Sequence, residues 1–148
     1  MGLRRPAARQ DQFKALLKGI LAAEDARLAV EKGVDAIIVS NHGGRTEDGG
    51  GSTIEALPEI IDAVAGRIPV LVDSGFRRGS DIVKALAIGA RGLRRSPVPV
   101  GLGAFGQAGV ERMLEILRVE VRAFLQQLGA VACTPLTGSG PAPMTVPR

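Results

Sequence analysis

Short apolar runs alternate with amphipathic segments along the first two thirds of the chain. The runs are rich in Val, Ile and Leu and too short for helices, so they predict strands. The amphipathic segments have about the length of a helix that covers a sheet, and this alternation is typical of a parallel α/β fold. The predicted strands occupy residues 14–19, 35–40 and 68–73, and the predicted helices residues 23–33, 52–66 and 81–89.

Boundary signals refine the predicted helices. Ser52 and Glu55 have the spacing of a capping box, which predicts a helix start at residue 52. Pro58 lies inside the same pattern and predicts a kink or a late start there. Ser80 is the predicted N-cap of the following helix.

The fourth strand of this pattern is irregular. Residues 82–96 faintly repeat residues 26–40, but this register puts Arg94 and Arg95 where a buried strand is expected. Unpaired buried charges cost several kcal/mol, and the prolines of residues 96–103 cannot donate to a central ladder. We therefore expect a disrupted last strand, followed by a long helix over residues 104–128.

Composition narrows the classes of function. The chain has 148 residues with 45% apolar and 23% charged side chains, as expected for one globular domain. Four Phe and no Trp or Tyr argue against a base-stacking surface, so the net charge of +4 favours a small anionic ligand over nucleic acid. Cys133 is the only cysteine, which excludes an internal disulfide and a cysteine metal cluster. No signal-peptide or membrane-spanning pattern is present, so we expect a cytoplasmic protein.

Unusual polar residues follow each predicted strand. Because the carboxyl ends of parallel strands meet at one edge of a sheet, we expect these residues to lie together and to form a ligand site. They are Lys18, which closes the first strand, Ser40, His42 and Arg45 after the second, and Asp73 and Arg77 after the third.

Each of these residues has a plain structural interpretation as well. His42, the only histidine, suits proton abstraction near neutral pH, or it lies in a solvated turn. Arg45 is either a carboxylate clamp or a surface arginine. Lys18 either faces a developing negative charge or forms an ion pair with Asp73. The loop at residues 74–79 suits a phosphate, or it is a basic turn.

Several segments resemble the C-terminal half of the FMN-dependent α-hydroxy acid oxidases and dehydrogenases, the family of glycolate oxidase, lactate oxidase and mandelate dehydrogenase. The resemblance extends from about Ala15 to Gly129. The elements "SNHGGR" and "DSGFRRG", which lie in two of these segments, together are highly specific. The segments are "LLKGI", "VSNHGGR", "ALPEI", "PVLVDSGFRRGSDIVKALAIGAR" and "GLGAFGQAGVERMLEILR".

The resemblance implies the C-terminal half of a TIM barrel, FMN as cofactor, and oxidation of a 2-hydroxy acid to a 2-oxo acid. His42 would be the base that removes a substrate proton, and Arg45 would bind the substrate carboxylate. Lys18 would face the N1/O2 edge of the flavin. The other implied FMN contacts are Ser40 near the ring, and Asp73, Gly75 and Arg77 at the ribityl chain and phosphate.

The chain departs from the family pattern at residues 92–100, "GLRRSPVPV". The family usually has a strand similar to "AVCVGRPYLW" there, whose Gly-Arg pair binds the FMN phosphate. GC-rich codons for that segment, read in a shifted frame, encode "GLRRSPVPV". We therefore hypothesise an out-of-frame segment, which resequencing of the gene would test, and we do not equate Arg94 or Arg95 with the phosphate-binding arginine.

The expected organisation is an irregular segment at residues 1–13, a partial barrel domain at 14–129 and a poorly ordered tail at 130–148. Two functions remain open: FMN-dependent oxidation of a small 2-hydroxy acid, or a non-catalytic half-barrel that binds FMN or phosphate weakly. A third, a TIM-barrel enzyme of another family, is disfavoured by the two specific segments. Open sheet edges also predict self-association, or pairing with a missing N-terminal half.

Overall fold

A computed structural model describes residues 14–46, 49–93 and 98–130. The predicted irregular segment at residues 1–13 lies outside these ranges, as does the predicted tail at residues 130–148 except for Ala130. Within them, strands and helices alternate as the apolar pattern predicts. The elements are β1 (Leu16–Ile20), α1 (Ala23–Glu31), β2 (Ala36–Val39), a 3-10 turn (His42–Gly44), α2 (Thr53–Val64), β3 (Val70–Val72), α3 (Gly79–Ile88), β4 (Gly92–Leu93) and α4 (Val98–Gln127).

The four strands form one parallel sheet in the order β1-β2-β3-β4, which is also their order in the chain. β2 lies in the interior of the sheet and is buried over its whole length. The main core forms between the sheet and the helices α1 and α2, because β-branched residues of the strands meet the apolar face of α2. Its most deeply buried large side chains include Ile37, Val39, Val72, Leu57 and Ile60.

The start of α2 agrees with the predicted cap. The Glu55 carboxylate accepts hydrogen bonds from the backbone N–H of Ser52 at 3.2 Å and from its hydroxyl at 2.6 Å. The helix begins at Thr53 and contains Pro58, so the predicted late start is wrong. Burial of Leu57 and Ile60 on either side of the proline stabilises the helix in spite of the lost donor.

The start of α3 differs from the prediction. Its N-cap is Arg78 rather than Ser80, and the helix begins at Gly79. Asp81 accounts for the shift, because its carboxylate accepts hydrogen bonds from the backbone N–H groups of Arg77 at 3.0 Å and Arg78 at 2.9 Å. The acidic side chain in the first turn thus fixes the start of the helix.

Gly92 and Leu93 are the described residues that pair with β3. The predicted disruption of the last strand rests on Arg94 and Arg95, and residues 94–97 lie outside the described ranges. The long helix starts at Val98, six residues before the predicted start at 104, and its backbone leaves helical geometry at Phe105 and Gly106. A second, smaller cluster of Val83, Val121 and Leu125 joins α3 to α4.

Candidate active site

Three polar side chains meet at the carboxyl ends of β1, β2 and β3. The Lys18 ammonium donates to the Ser40 hydroxyl at 2.8 Å and lies 3.2 Å from an oxygen of Asp73. Ser40 is fully buried and Asp73 is buried, whereas Lys18 is half-buried. The predicted convergence is therefore present for these residues, and of the two interpretations of Lys18 the ion pair with Asp73 is the contact observed in the chain itself.

The Asp73 carboxylate is held as an anion by several donors. Burial raises the pKa of Asp73, but hydrogen bonds from Ser40, Ser74 and Lys18, together with the charge of Lys18, outweigh burial and lower it below its usual value. The Ser74 hydroxyl donates to the other carboxylate oxygen at 2.9 Å. We call Lys18, Ser40, Asp73 and Ser74 the strand-end cluster.

The loop after β2 is tied to this cluster through its backbone. The N–H of His42 donates to the Ser40 hydroxyl at 3.2 Å, and the N–H of Gly43 donates to the Ser74 hydroxyl at 3.1 Å. Gly43 also donates to the Asn41 side chain at 3.1 Å. These bonds hold His42 in a left-handed conformation with φ 57°, which is uncommon outside glycine and asparagine. The backbone of His42 is thereby held at the end of the sheet, and the residue is exposed.

The other predicted site residues lie further out. Arg45 is exposed, and its Nε lies 3.4 Å from the backbone oxygen of His42. Gly75 and Arg77 are exposed on the loop between β3 and α3, where Gly75 has φ 83° and no described atom lies within 4 Å of the position that a Cβ would take. Lys18, Ser40 and Asp73 therefore lie together, as the sequence predicts, and the backbone of His42 is hydrogen-bonded to Ser40 in this cluster.

Three positioning residues were missed by the sequence prediction. Ser74 is buried with φ 71° and bridges Asp73 to the histidine loop. Thr53 is buried and donates to the backbone oxygens of Asp73 at 2.7 Å and Ser74 at 3.1 Å, so the start of α2 anchors the end of β3. Asn41 caps the 3-10 turn. The one sequence signal that could have identified any of them is the position of Ser74 directly after Asp73.

Among the described residues, no group of three or more His, Cys, Asp or Glu side chains is arranged to hold a metal ion. No described helix combines the length and the apolar character needed to cross a bilayer.

The fold and the strand-end cluster define the class: a parallel α/β domain with a polar site at the carboxyl ends of its strands. The profile of FMN-dependent dehydrogenases matches residues 6–139. The chain belongs to this family, which confirms the resemblance drawn from the sequence and, at the level of the family, FMN as the cofactor.

Relatives and solved structures agree with this assignment. The chain is 50% identical over 124 residues to the peroxisomal (S)-2-hydroxy-acid oxidase GLO4 of Oryza sativa subsp. indica, covering 83% of this chain and 34% of the relative. It is 47% identical over 133 residues to the pre-mycofactocin synthase of Mycobacterium tuberculosis, covering 89% of this chain and 33% of the relative. A crystal structure of mandelate oxidase with (S)-2-phenylpropionate superposes with a TM-score of 0.76 at 50% identity, covering 81% of this chain and 36% of that chain.

These coverages show that the chain spans about a third of the length of the curated relatives it matches. The fold is accordingly part of the barrel of these oxidases, as predicted. One relative is named as peroxisomal, so a cytoplasmic location stays a prediction.

Proposed function

We propose that this chain supplies the base, the carboxylate clamp and part of the flavin site for FMN-dependent oxidation of a 2-hydroxy acid to a 2-oxo acid. The observation that carries the proposal is the meeting of Lys18, Ser40 and Asp73 at the ends of three adjacent strands, with the His42 loop bonded to the same cluster. The name of the rice relative, a hydroxy-acid oxidase, supports the same substrate class.

His42 is the proposed base. Its backbone is held at the sheet end, because the N–H groups of His42 and Gly43 donate to the Ser40 and Ser74 hydroxyls, and this places the imidazole next to the strand-end cluster. A neutral imidazole there takes a proton from the substrate, whether from the hydroxyl oxygen or from the carbon that carries it. The guanidinium of Arg45, three residues on, binds the substrate carboxylate in the two-pronged manner typical of arginine.

Lys18 is the proposed contact of the flavin ring edge. An ammonium group has three N–H donors, and its described contacts with Ser40 and Asp73 account for two. A fixed cation at this place stabilises negative charge on a bound group, which fits the chemistry of a flavin. FMN, when bound, supplies the two-electron acceptor for the oxidation. Gly75, which has φ 83° and open space where a Cβ would lie, and Arg77 suit the ribityl chain and phosphate.

Flavin binding and reduction test the proposal. The purified chain is titrated with FMN, and the loaded protein is mixed without oxygen with glycolate, lactate and mandelate while flavin absorbance is followed. We expect binding, and bleaching by at least one acid. His42→Ala should retain its affinity for FMN, but its rate of flavin reduction should be lower by about 100-fold or more, which is the usual effect of losing a general base.

Each assignment has its own contradicting outcome. If His42→Ala reduces the flavin as fast as the unaltered chain, His42 is not the base. If the chain binds FMN but no hydroxy acid bleaches it, the non-catalytic half-barrel is the better description. If Arg45→Ala changes neither the substrate concentration for half-maximal rate nor the rate, the carboxylate clamp is wrong.

A further inference from the structure

Gly19 interrupts the pairing of β1 next to the strand-end cluster. Lys18 pairs with Ile38 and Ile20 with Val39, so Gly19 is an extra residue in β1, and its φ is 99°. A bulge of this kind re-aims the side chains beside it and is often found next to a site. Here the neighbour is Lys18, whose ammonium reaches Ser40 and Asp73.

The bare face of Gly19 lies against the imidazole of His42. A Cβ at this position would lie 3.1 Å from Nε2 and 3.8 Å from Cε1 of His42. A Cβ rarely comes closer than this to another heavy atom, so any side chain at residue 19 would push the ring away. Apart from Gly19 and its chain neighbours, no other atom of the described residues is within 4 Å of that Cβ position, so the crowding involves the histidine.

We propose that Gly19 is a positioning residue for His42: the bulge in β1 lets the imidazole rest on the backbone of Gly19 and thereby sets where Nε2 points. One glycine then aligns two groups, because the same bulge also directs Lys18. The role of His42 as a base rests on the proposed function, whereas the contact between the ring and Gly19 does not.

Gly19→Ala tests this contact against two matched controls. Gly33→Ala has a similar left-handed backbone, with φ 73°, but nothing within 4 Å of the added methyl. Gly89→Ala has φ 125° and a contact of 3.1 Å, but with Cγ2 of Ile61. The controls therefore reproduce the backbone strain and the crowding without touching the histidine.

The readout is the imidazole proton signal in the NMR spectrum of the chain without cofactor, which is unambiguous because His42 is the only histidine. We expect Gly19→Ala to shift this signal, and Gly33→Ala and Gly89→Ala to leave it in place. In the FMN-loaded protein, Gly19→Ala should slow flavin reduction by about 3- to 10-fold, because a reacting group misplaced by about 1 Å costs roughly 100-fold and the displacement here is smaller. An unchanged imidazole signal in folded Gly19→Ala would overturn the proposal.

A double-mutant cycle covers the case in which Gly19→Ala does not fold. If the ring is the obstacle, Gly19→Ala should be much less destabilising in a His42→Ala background, where the space is open. An equal loss of stability in both backgrounds overturns the proposal. Neither the NMR signal nor the cycle needs turnover, so failure of this inference is distinguishable from failure of the proposed oxidation.

Discussion

At the scale of single residues, Asp73 contributes both to the stability of the fold and to the candidate active site. Its carboxylate is bonded to Lys18 and Ser74, and it lies at the end of the sheet whose interior is apolar. Without the Asp73 carboxylate, the half-buried ammonium of Lys18 and the buried hydroxyl of Ser40 would each lose a polar partner. An unsatisfied buried polar group lowers the stability of the fold. The same residue therefore holds the proposed flavin-contacting lysine and stabilises the fold.

Asp73 gives a prediction about pH. Because the pKa of Asp73 is lowered in the folded chain, the ionised carboxylate stabilises the fold. This contribution is fully present above the unfolded value of about 3.9 and is lost as the pH falls through the lower folded value. At pH 7, Asp73→Asn should unfold at a lower urea concentration, because its free energy of unfolding should be lower by about 1–3 kcal/mol. On acidification below about pH 4, the variant should lose less stability than the unaltered chain.

Urea titrations across this pH range measure both quantities. Asp62→Asn, on the exposed side of α2, is the control for removal of one negative charge. A pH dependence of stability that is identical in Asp73→Asn and the unaltered chain would contradict the assigned role of Asp73.

At the scale of elements, the contact between α3 and α4 is unusually close. The backbone N–H of Gly79, the first residue of α3, donates to the Glu120 carboxylate of α4 at 2.7 Å. A carboxylate is favourable there because the N-terminus of a helix carries partial positive charge. Arg78 adds an ion pair with Glu120 at 3.9 Å. The start of α3 is thus stabilised by a helix far along the chain as well as by Asp81.

This contact requires glycine at residue 79. A Cβ there would lie 2.5 Å from both Cβ of Glu120 and the backbone nitrogen of Val121, and backbone cannot move aside cheaply. Gly79→Ala should therefore lower the free energy of unfolding by about 1–3 kcal/mol or more, measured by urea denaturation. Gly103→Ala in α4 has nothing within 4 Å of its added methyl and should be neutral or stabilising. Equal stability of the two variants would show that the helices do not pack in this way.

At the scale of the whole molecule, β1 is one of the two edge strands of the described sheet, opposite β4. Among the described residues its hydrogen-bonding partner is β2 alone, and Leu16 and Leu17 are exposed beside it. Exposed apolar edge strands are templates for pairing with another chain. We therefore predict that self-association, or pairing with an N-terminal half, takes place along the β1 edge.

Leu17→Lys tests that prediction by sedimentation velocity over a range of concentrations. Leu17 is 42% exposed, and a lysine on an edge strand opposes pairing between chains. We expect the unaltered chain to self-associate and Leu17→Lys to shift toward monomer. Leu28→Lys, at a residue that is 49% exposed on α1, adds the same charge away from the edge and should leave the association unchanged. A monomeric unaltered chain, or equal effects of both variants, would contradict the role of β1.

The sequence predicted what depends on local pattern and missed what depends on contacts between distant segments. Strands and helices followed from apolar periodicity, and the convergence of Lys18, Ser40 and Asp73 followed from parallel topology alone. Gly19 could not be identified as the support of His42, because that contact joins two different strand ends. The preference of serine for N-caps predicts Ser80 as the cap of α3, whereas Asp81 and the distant Glu120 decide where that helix starts.

The identical order of the strands in the chain and in the sheet has a consequence for folding on the ribosome. Each new strand pairs with the one synthesised just before it, so the sheet can grow by one strand at a time as the chain emerges. Lys18 and Ser40 then meet when β2 is added, but their acidic partner Asp73 arrives only with β3. The nascent chain therefore carries an uncompensated cation at this edge until the third strand is in place.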